Sequence, residues 1–368
     1  MKANKYCIVS YCNLYMCPYI KEYTDLIMEN GDTFDLVYWD RDAKFGATDA
    51  DFGNSSTKTV LNHLLTNKSN VFRKLVGYIR ATRFIKKTIK SNNYHGVIFL
   101  QSHGAVLCSK IVRKKYSNRF IVDVRDFTLE NHRFYKRKEE KLFKQAYAII
   151  ISSPAYACFL PKQIDYVVAH NFVPLKNESS KIQINHSKLK FPISISFVGT
   201  VRFIGMDIKI LNLFKNDNRF LICYYGSGSD TLKEYCEKNQ IKNVDFHGRF
   251  NPDETLSFYS KTNIINNLYG NSSPFLDYAL SNKLYHSAQL LIPILVCPDT
   301  YMEEITKKYN LGFVLDVNNE SSPDILFKQY EEFDYSKMKS GADFFLKNVR
   351  EDNRKWKECI SSFLKSRD

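Results

Sequence analysis

Short apolar runs alternate with amphipathic stretches along most of the chain, which predicts strands and helices in turn. In the first half Tyr6–Tyr11, Phe34–Trp39, His95–Leu100, Phe120–Val124, Tyr147–Ile151 and Tyr166–Ala169 read as buried strands. Helices are expected from Pro18 to about Glu29, over Val71–Lys90 and over Phe134–Gln145. On the second of these, Phe72, Leu75, Val76 and Ile79 form an i, i+3, i+4, i+7 stripe, which predicts that its early turns face the core. Residues 43–70, rich in Gly, Ser, Thr and Asn, read as a long loop or broken helices. After a polar stretch the alternation resumes. Its strands are Ile193–Val198, Phe220–Tyr225, Val244–His247, Asn263–Leu268, Ile294–Cys297 and Gly312–Leu315. Its helices are Met206–Lys215, Ser229–Asn239, Thr255–Lys261 and Ser281–Leu291, with more from about Asp324.

This pattern implies an α/β protein with two Rossmann-like, doubly wound parallel-sheet domains. The expected boundaries are 1–173, a linker at 174–192, a second domain at 193–345, and a helix at 346–368 returning to the first domain. In such sheets function gathers at the carboxyl ends of strands. There the first half places Asp40, His103, Asp126 and Ser153.

Composition narrows the class. At 368 residues, 44% hydrophobic and 25% charged, the chain is long enough for two globular domains and is not a disordered one. The longest apolar run, Leu290–Cys297, contains Pro293, so no membrane span is expected. The first residues lack a signal-peptide apolar region, and a cytoplasmic location is expected. Cys7, Cys12 and Cys17 recur every five residues, but no His or paired Cys completes a zinc spacing. The nine cysteines read as reduced thiols.

Charge is unevenly spread. Residues 1–175 hold 27 basic and 15 acidic residues, against 26 and 24 in the remainder. Residues 52–122 contain fourteen basic residues and no acidic one, densest from Arg73 to Lys90. Such a face suits a polyanion. No helix-turn-helix, zinc-finger or RNP-type pattern accompanies it, so an anionic membrane surface is expected rather than nucleic acid. A solvated basic helix is the plainer alternative.

The second half resembles the nucleotide-binding domain of GT-B glycosyltransferases. Four stretches carry the resemblance in order. They are Ile195–Gly199, Tyr224–Gly228, Val244–Phe250 followed by Glu254, Leu256 and Tyr259, and Asn282–His286 running to Pro293–Val296. The first half matches more loosely. Its Pro18, Tyr23, Leu26 and Gly31 spacing, its Asp123–Asp126 segment and its His170–Pro174 hinge are similar to bacterial polysaccharide transferases.

The resemblance implies two domains facing a cleft and sugar transfer from a nucleotide-diphosphate sugar, with uridine or guanosine as base. It implies a saccharide acceptor, growing and lipid-linked, in capsule, O-antigen or exopolysaccharide assembly. It further implies peripheral association with the inner face of the cell membrane and no metal cofactor. The donor residues it implies are Gly199, Thr200, Arg202, Gly226, Gly248, Arg249, Phe250, Ser272, Ser273, Asn282, Lys283 and His286. Lys283 and Arg202 would neutralise the diphosphate, and glycine turns let backbone N–H groups approach it. Two departures stand out. His286 occupies the place of the second glutamate of the retaining pattern, and Leu291 that of a motif glycine. Retention or inversion therefore stays open. For inversion Asp126 is the first candidate base and His103 the second. Two alternatives remain: a nucleotide-sugar 2-epimerase, and a non-catalytic basic binding module.

Overall fold

The computed structural model describes residues 3–42, 56–66, 69–175 and 191–366. Most of the expected linker, residues 176–190, lies outside them. The chain divides into two compact units, Met1–His170 with Glu351–Asp368, and Asn171–Arg350.

In the first unit the elements run β1 (Lys5–Ser10), α1 (Ile20–Glu29), β2 (Thr33–Asp40), β3 (Ser56–Asn62), α2 (Val71–Ser91), β4 (Gly96–Phe99), α3 (Ser102–Lys115), β5 (Phe120–Val124), α4 (Arg133–Phe143), β6 (Ala148–Ile151) and β7 (Tyr166–Val168). Among the described residues they form a parallel sheet in the order β3-β2-β1-β4-β5-β6-β7. The strand order reverses at β1 and β4, where an open α/β sheet leaves a crevice at its carboxyl edge.

β3 lies in the segment expected to be a loop. Its sequence, STKTVLN, is too polar to read as a buried strand, and pairing with β2 supplies what burial does not. The apolar pattern does not announce α3 because it opens on Ser102-His103-Gly104; Ser102 and Gly104 are buried but carry no apolar side chain, and buried apolar side chains begin with Ala105 and Val106.

α2 presents the opposite face from the one its stripe predicts. Phe72, Leu75 and Ile79 are 72%, 56% and 41% exposed, while Gly77, Ala81, Thr82, Ile85 and Ile89 are buried. The cause is close packing. A Cβ on Gly77 would stand 2.7 Å from the ring of Trp39, so the helix approaches the sheet through its small residues.

One buried ion pair knits this unit. Arg125 grips Asp123 at 2.6 and 2.8 Å, donates to the Ala169 carbonyl at 2.8 Å, and lies 4.1 Å over the Tyr19 ring. Tyr23 donates to the same Asp123 at 2.7 Å. With both charges satisfied, burial does not leave either unpaired.

The second unit runs β8 (Ile193–Val198), α5 (Ile204–Leu213), β9 (Phe220–Tyr225), α6 (Asp230–Lys238), β10 (Val244–His247), α7 (Thr255–Tyr259), β11 (Ile264–Asn267), α8 (Pro274–Asp277), α9 (Asn282–Leu290), β12 (Ile294–Val296), α10 (Tyr301–Lys308), β13 (Gly312–Val314), α11 (Ser322–Glu331) and α12 (Tyr335–Lys365). Its parallel sheet has the order β10-β9-β8-β11-β12-β13 among the described residues, with the reversal at β8 and β11. Ala342, Phe345, Leu346 and Val349 of α12 pack into this unit's core, whereas Trp356, Ile360, Phe363 and Leu364 pack into the core of the first. The fold is thus two Rossmann-like doubly wound domains.

Candidate functional sites at two sheet edges

In the second unit β8 and β9 end side by side, Val198 beside Tyr225, and each is followed by a glycine. Gly199 has φ +139° and Gly226 φ +136°, in the region that only glycine adopts freely. The turns nest: a Cβ on Gly226 would stand 2.0 Å from the Gly199 carbonyl oxygen, and one on Gly228 2.7 Å from that of Val201. Gly199 N–H donates to Tyr225 at 2.9 Å, and Val201 N–H to Ser227 at 2.9 Å.

Lys283 stands in front of this turn. Ser281 caps α9, accepting from Lys283 N–H at 3.2 Å, which places the side chain in the first helical turn. The lysine is 6% exposed, and its Nζ lies 3.9 Å from where a Cβ on Gly199 would be. Nζ donates to the Tyr269 hydroxyl and sits 4.1 Å over the Phe197 ring. Among the described residues it makes no salt bridge. Burial pushes the ammonium down to about 7; the Asp207 carboxylate pulls it up and Arg202 adds to the fall. Burial in turn raises Asp207 to about 6, against the hydrogen bond from Tyr224 at 3.1 Å. A buried lysine without a carboxylate partner is costly to charge until an anion arrives.

The other expected donor residues surround this point unevenly. Arg202 is exposed, and its charge acts on both Lys283 and Tyr269. Thr200 is exposed, its Oγ1 3.4 Å from the Ser227 hydroxyl. Ser272 is exposed at φ +67°, and Ser273 precedes α8 without a side-chain cap bond. Asn282 is exposed in the first turn of α9. His286 lies three residues after Lys283, with Nδ1 3.2 Å from the Tyr259 hydroxyl. Burial, helped by Lys283, holds that ring down to about 4. Gly248 and Arg249 are exposed, and a Cβ on Gly248 would meet nothing within 4 Å. Half-buried Phe250 packs edge-on against Phe258 at 4.9 Å; Phe258 stacks on Tyr225 at 4.3 Å, and Tyr225 on His247 at 4.6 Å. This aromatic shelf adjoins the second glycine turn.

Three members were not foreseen. Tyr269 follows β11 at the carboxyl edge, a position the strand pattern locates, but Phe197 and Asp207 carry no sequence signal beyond burial. Leu291, at the place where the resemblance puts a glycine, holds the left-handed conformation that favours glycine, at φ 54°.

In the first unit the reversal point gathers different chemistry. Gln101 accepts from Tyr11 N–H at 2.9 Å, joining the ends of β1 and β4. His103 lies in the first turn of α3, edge-on to Tyr11 at 5.6 Å and Tyr78 at 5.8 Å. Among the described residues neither ring nitrogen has a hydrogen-bond partner, and burial, with the charge of Arg41, holds the ring down to about 4. The ring is therefore neutral at neutral pH. Asp126 is exposed beyond β5, and its charge reaches Cys12 and Tyr156. His103 and Asp126 do not hydrogen-bond each other. Glu130 is occupied, accepting from Thr128 N–H and from Ser102 at 3.5 Å.

No protein-family model matches the chain, and no curated protein matches it. Solved structures do. Sucrose-phosphate synthase from Thermosynechococcus elongatus is 11% identical, with a TM-score of 0.66 over 97% of this chain and 96% of its own. The lipopolysaccharide outer core galactosyltransferase WaaB is 12% identical, with a TM-score of 0.65 over 97% and 99%. The Anabaena protein HepE in complex with UDP is 12% identical, with a TM-score of 0.64 over 97% and 100%. At these identities the likeness is one of fold, the two-domain fold expected from the sequence.

Proposed function

We propose that this protein is a glycosyltransferase that moves a sugar from a nucleotide-diphosphate sugar to a growing, lipid-linked saccharide in bacterial surface polysaccharide assembly. The observation that carries the reading is Lys283: a buried ammonium with no carboxylate at salt-bridge distance among the described residues, set beside the Gly199 turn. Its neighbours in fold include a galactosyltransferase and a protein crystallised with UDP and with UDP-glucose.

In this reading the diphosphate lies along the Gly199 and Gly226 turns. Lys283 becomes fully charged there, and Arg202 shares the load as the bond from the anomeric carbon to the diphosphate oxygen breaks. The Tyr225–Phe258–Phe250 shelf receives the base by stacking. The acceptor hydroxyl forms the new bond at the anomeric carbon, and in an inverting reaction its proton passes to Asp126, with His103 the second choice. His286 is neutral and hydrogen-bonds sugar hydroxyls.

Metal independence belongs to the same proposal. Asp40, of the Asp40-Arg41-Asp42 triplet, already accepts from Asn13 at 2.7 Å and from Asp42 N–H at 3.0 Å, in the first unit. Asp49-Ala50-Asp51 lies outside the described residues. Cations on the protein take the place of a metal.

The acceptor side rests on α2. Its basic residues favour an anionic membrane surface at the inner face of the cell membrane. The exposed Val71, Phe72 and Leu75 add an apolar contact to that attraction, so insertion and charge act together. No helix among the described residues is long and apolar enough to cross a membrane.

A thermal-shift screen with UDP-, GDP-, CMP- and dTDP-sugars tests the reading, because a ligand of the native state raises stability. A shift with a UDP- or GDP-sugar is expected, followed by transfer only when a lipid-linked acceptor is added. No shift with any of the four overturns it.

A further inference from the structure

Two thiols beyond the end of β1 have no part in the reading above. Cys12 and Cys17 are separated by one turn of 3-10 helix, Leu14–Met16. Met16 N–H donates to the Asn13 carbonyl at 3.0 Å and Cys17 N–H to that of Leu14 at 2.8 Å, so the chain doubles back on itself. The two sulfurs come within 3.6 Å of each other. The Gln101 amide holds both from one side, donating at 3.4 Å to Cys12 and 3.1 Å to Cys17. The Ser10 hydroxyl lies 3.5 and 3.8 Å from the same two sulfurs. Cys12 is half-buried and Cys17 buried, and both are reduced.

We infer that Cys12 and Cys17 are a modification site: a dithiol that a hydroperoxide closes to an intramolecular disulfide. The roles follow from the surroundings. The hydrogen bond with Cys17 lowers the Cys12 thiol to about 7, and Arg41 favours the thiolate while burial and Asp126 oppose it. The same hydrogen bond and burial push Cys17 up. Cys12, half-buried and so the sulfur that a peroxide reaches, is thus the nucleophile, and buried Cys17 the resolving thiol.

With hydrogen peroxide, the Cys12 thiolate attacks one oxygen, the O–O bond breaks, and hydroxide leaves to take up a proton as water; from an organic hydroperoxide the alkoxide leaves and becomes the alcohol. Cys12 is then a sulfenic acid. The Cys17 sulfur displaces its hydroxyl, which departs with the Cys17 proton as a second water. The dithiol loses two electrons and the peroxide gains them. The sulfurs must close from 3.6 Å to about 2.05 Å, a shift within reach of side-chain rotation in a short turn.

Other cysteines do not compete. Burial and Asp35 push the Cys7 thiol up, and Cys158, although exposed, has no neighbouring thiol among the described residues. Closing the bond removes the sulfurs from the Gln101 amide. That residue also accepts from Tyr11, whose ring packs against His103. Oxidation therefore reaches the reversal point of the first sheet.

The test is a thiol map of the full chain, which does not depend on the transferase reading. The reduced protein is treated with hydrogen peroxide, then unfolded and alkylated with iodoacetamide in denaturant, and cut with trypsin. The peptide Tyr6–Lys21 contains Cys7, Cys12 and Cys17. It should carry a single alkyl group, on Cys7, and weigh about 2 Da less than the same peptide with one alkyl group and two free thiols, two hydrogens lost. The rate should rise about tenfold per pH unit up to about pH 7 and level off above, following the Cys12 thiolate. Cys17→Ser should stop at a Cys12 sulfenic acid that dimedone traps. Three alkyl groups on this peptide at a dose that oxidises Cys158 would overturn the inference. So would a disulfide to Cys7, or a sulfinic acid at Cys12 beside an alkylated Cys17. The wild-type map alone decides, whatever the stability of the variant.

Discussion

Gly226 and Gly199 are in backbone contact: a Cβ on the first would stand 2.0 Å from the carbonyl oxygen of the second. The ends of two neighbouring strands are thereby locked into one surface, on which Lys283 and the aromatic shelf converge. Gly226→Ala should destabilise the chain by about 1–3 kcal/mol, the scale of backbone strain at such positions. Gly248→Ala, with open space around it, should stay within about 0.5 kcal/mol. Denaturant midpoints of the two variants check the contrast, and equal midpoints would remove the argument for a nested turn.

Lys283 gives the site a pH signature. Burial holds its pKa near about 7, below the unfolded lysine value of about 10.4, so between these pH values the unfolded chain binds more protons than the folded one. The destabilisation from burying this cation is greatest below about pH 7 and fades as pH rises through the window. Nucleotide binding runs the other way, because an anion restores the proton. At pH 8 calorimetry in buffers of different ionisation enthalpy should report net proton uptake on binding UDP, and affinity should fall as pH increases above 7. No uptake at pH 8 would mean that Lys283 does not meet the diphosphate.

The proposed base is separable from donor binding. Asp126→Asn should lower kcat by about 10²–10⁴ and leave nucleotide affinity unchanged. Because burial holds His103 down to about 4, the pH–rate profile should have no limb near 6.5 from this ring. Full activity in Asp126→Asn would point to a retaining reaction or to another base.

Much of this architecture is legible in the chain because parallel strands buried on both faces announce themselves as apolar runs. ISISFV at Ile193–Val198 and FLICYY at Phe220–Tyr225 are strands with the bounds their hydrophobicity suggests. β3 escapes because its partner β2, rather than an apolar sequence, makes it a strand. The buried face of α2 is hidden for a related reason: large apolar residues set the periodicity, but small ones, Gly77 and Ala81, set the contact with the sheet. At the site, Lys283 and the glycines are picked out by the resemblance of the segments that hold them. Tyr269, Phe197 and Asp207 do not stand out, since only the fold brings them to the lysine.

The exposed apolar residues of α2 change what membrane binding should look like. Phe72→Ser with Leu75→Ser should weaken pelleting with anionic liposomes, though less than charge reversal at the four sites Arg80, Arg83, Lys86 and Lys87. Each apolar side chain is worth up to about 1.5–3 kcal/mol when buried, against about 1 kcal/mol per basic residue near the surface. Part of the binding should survive added salt in the wild-type chain and vanish in the double serine variant. Pelleting insensitive to both sets of changes would place any membrane contact elsewhere.

Transfer should persist in excess EDTA, since Lys283 and Arg202 rather than a metal ion are assigned to the leaving diphosphate. Activity lost to EDTA and restored by Mn²⁺ would contradict that assignment.

The central claim is that the carboxyl edge of the second sheet binds a nucleoside diphosphate through Lys283. Titration calorimetry of UDP against the wild-type chain and Lys283→Ala tests it most directly. The alanine variant removes a cation that is costly to bury, so it should fold at least as well as the wild type. Its UDP affinity should fall by about 1.5–3 kcal/mol, tenfold or more, the scale of a charge-assisted hydrogen bond. Equal affinity in the two proteins, or none in the wild type, would contradict the account.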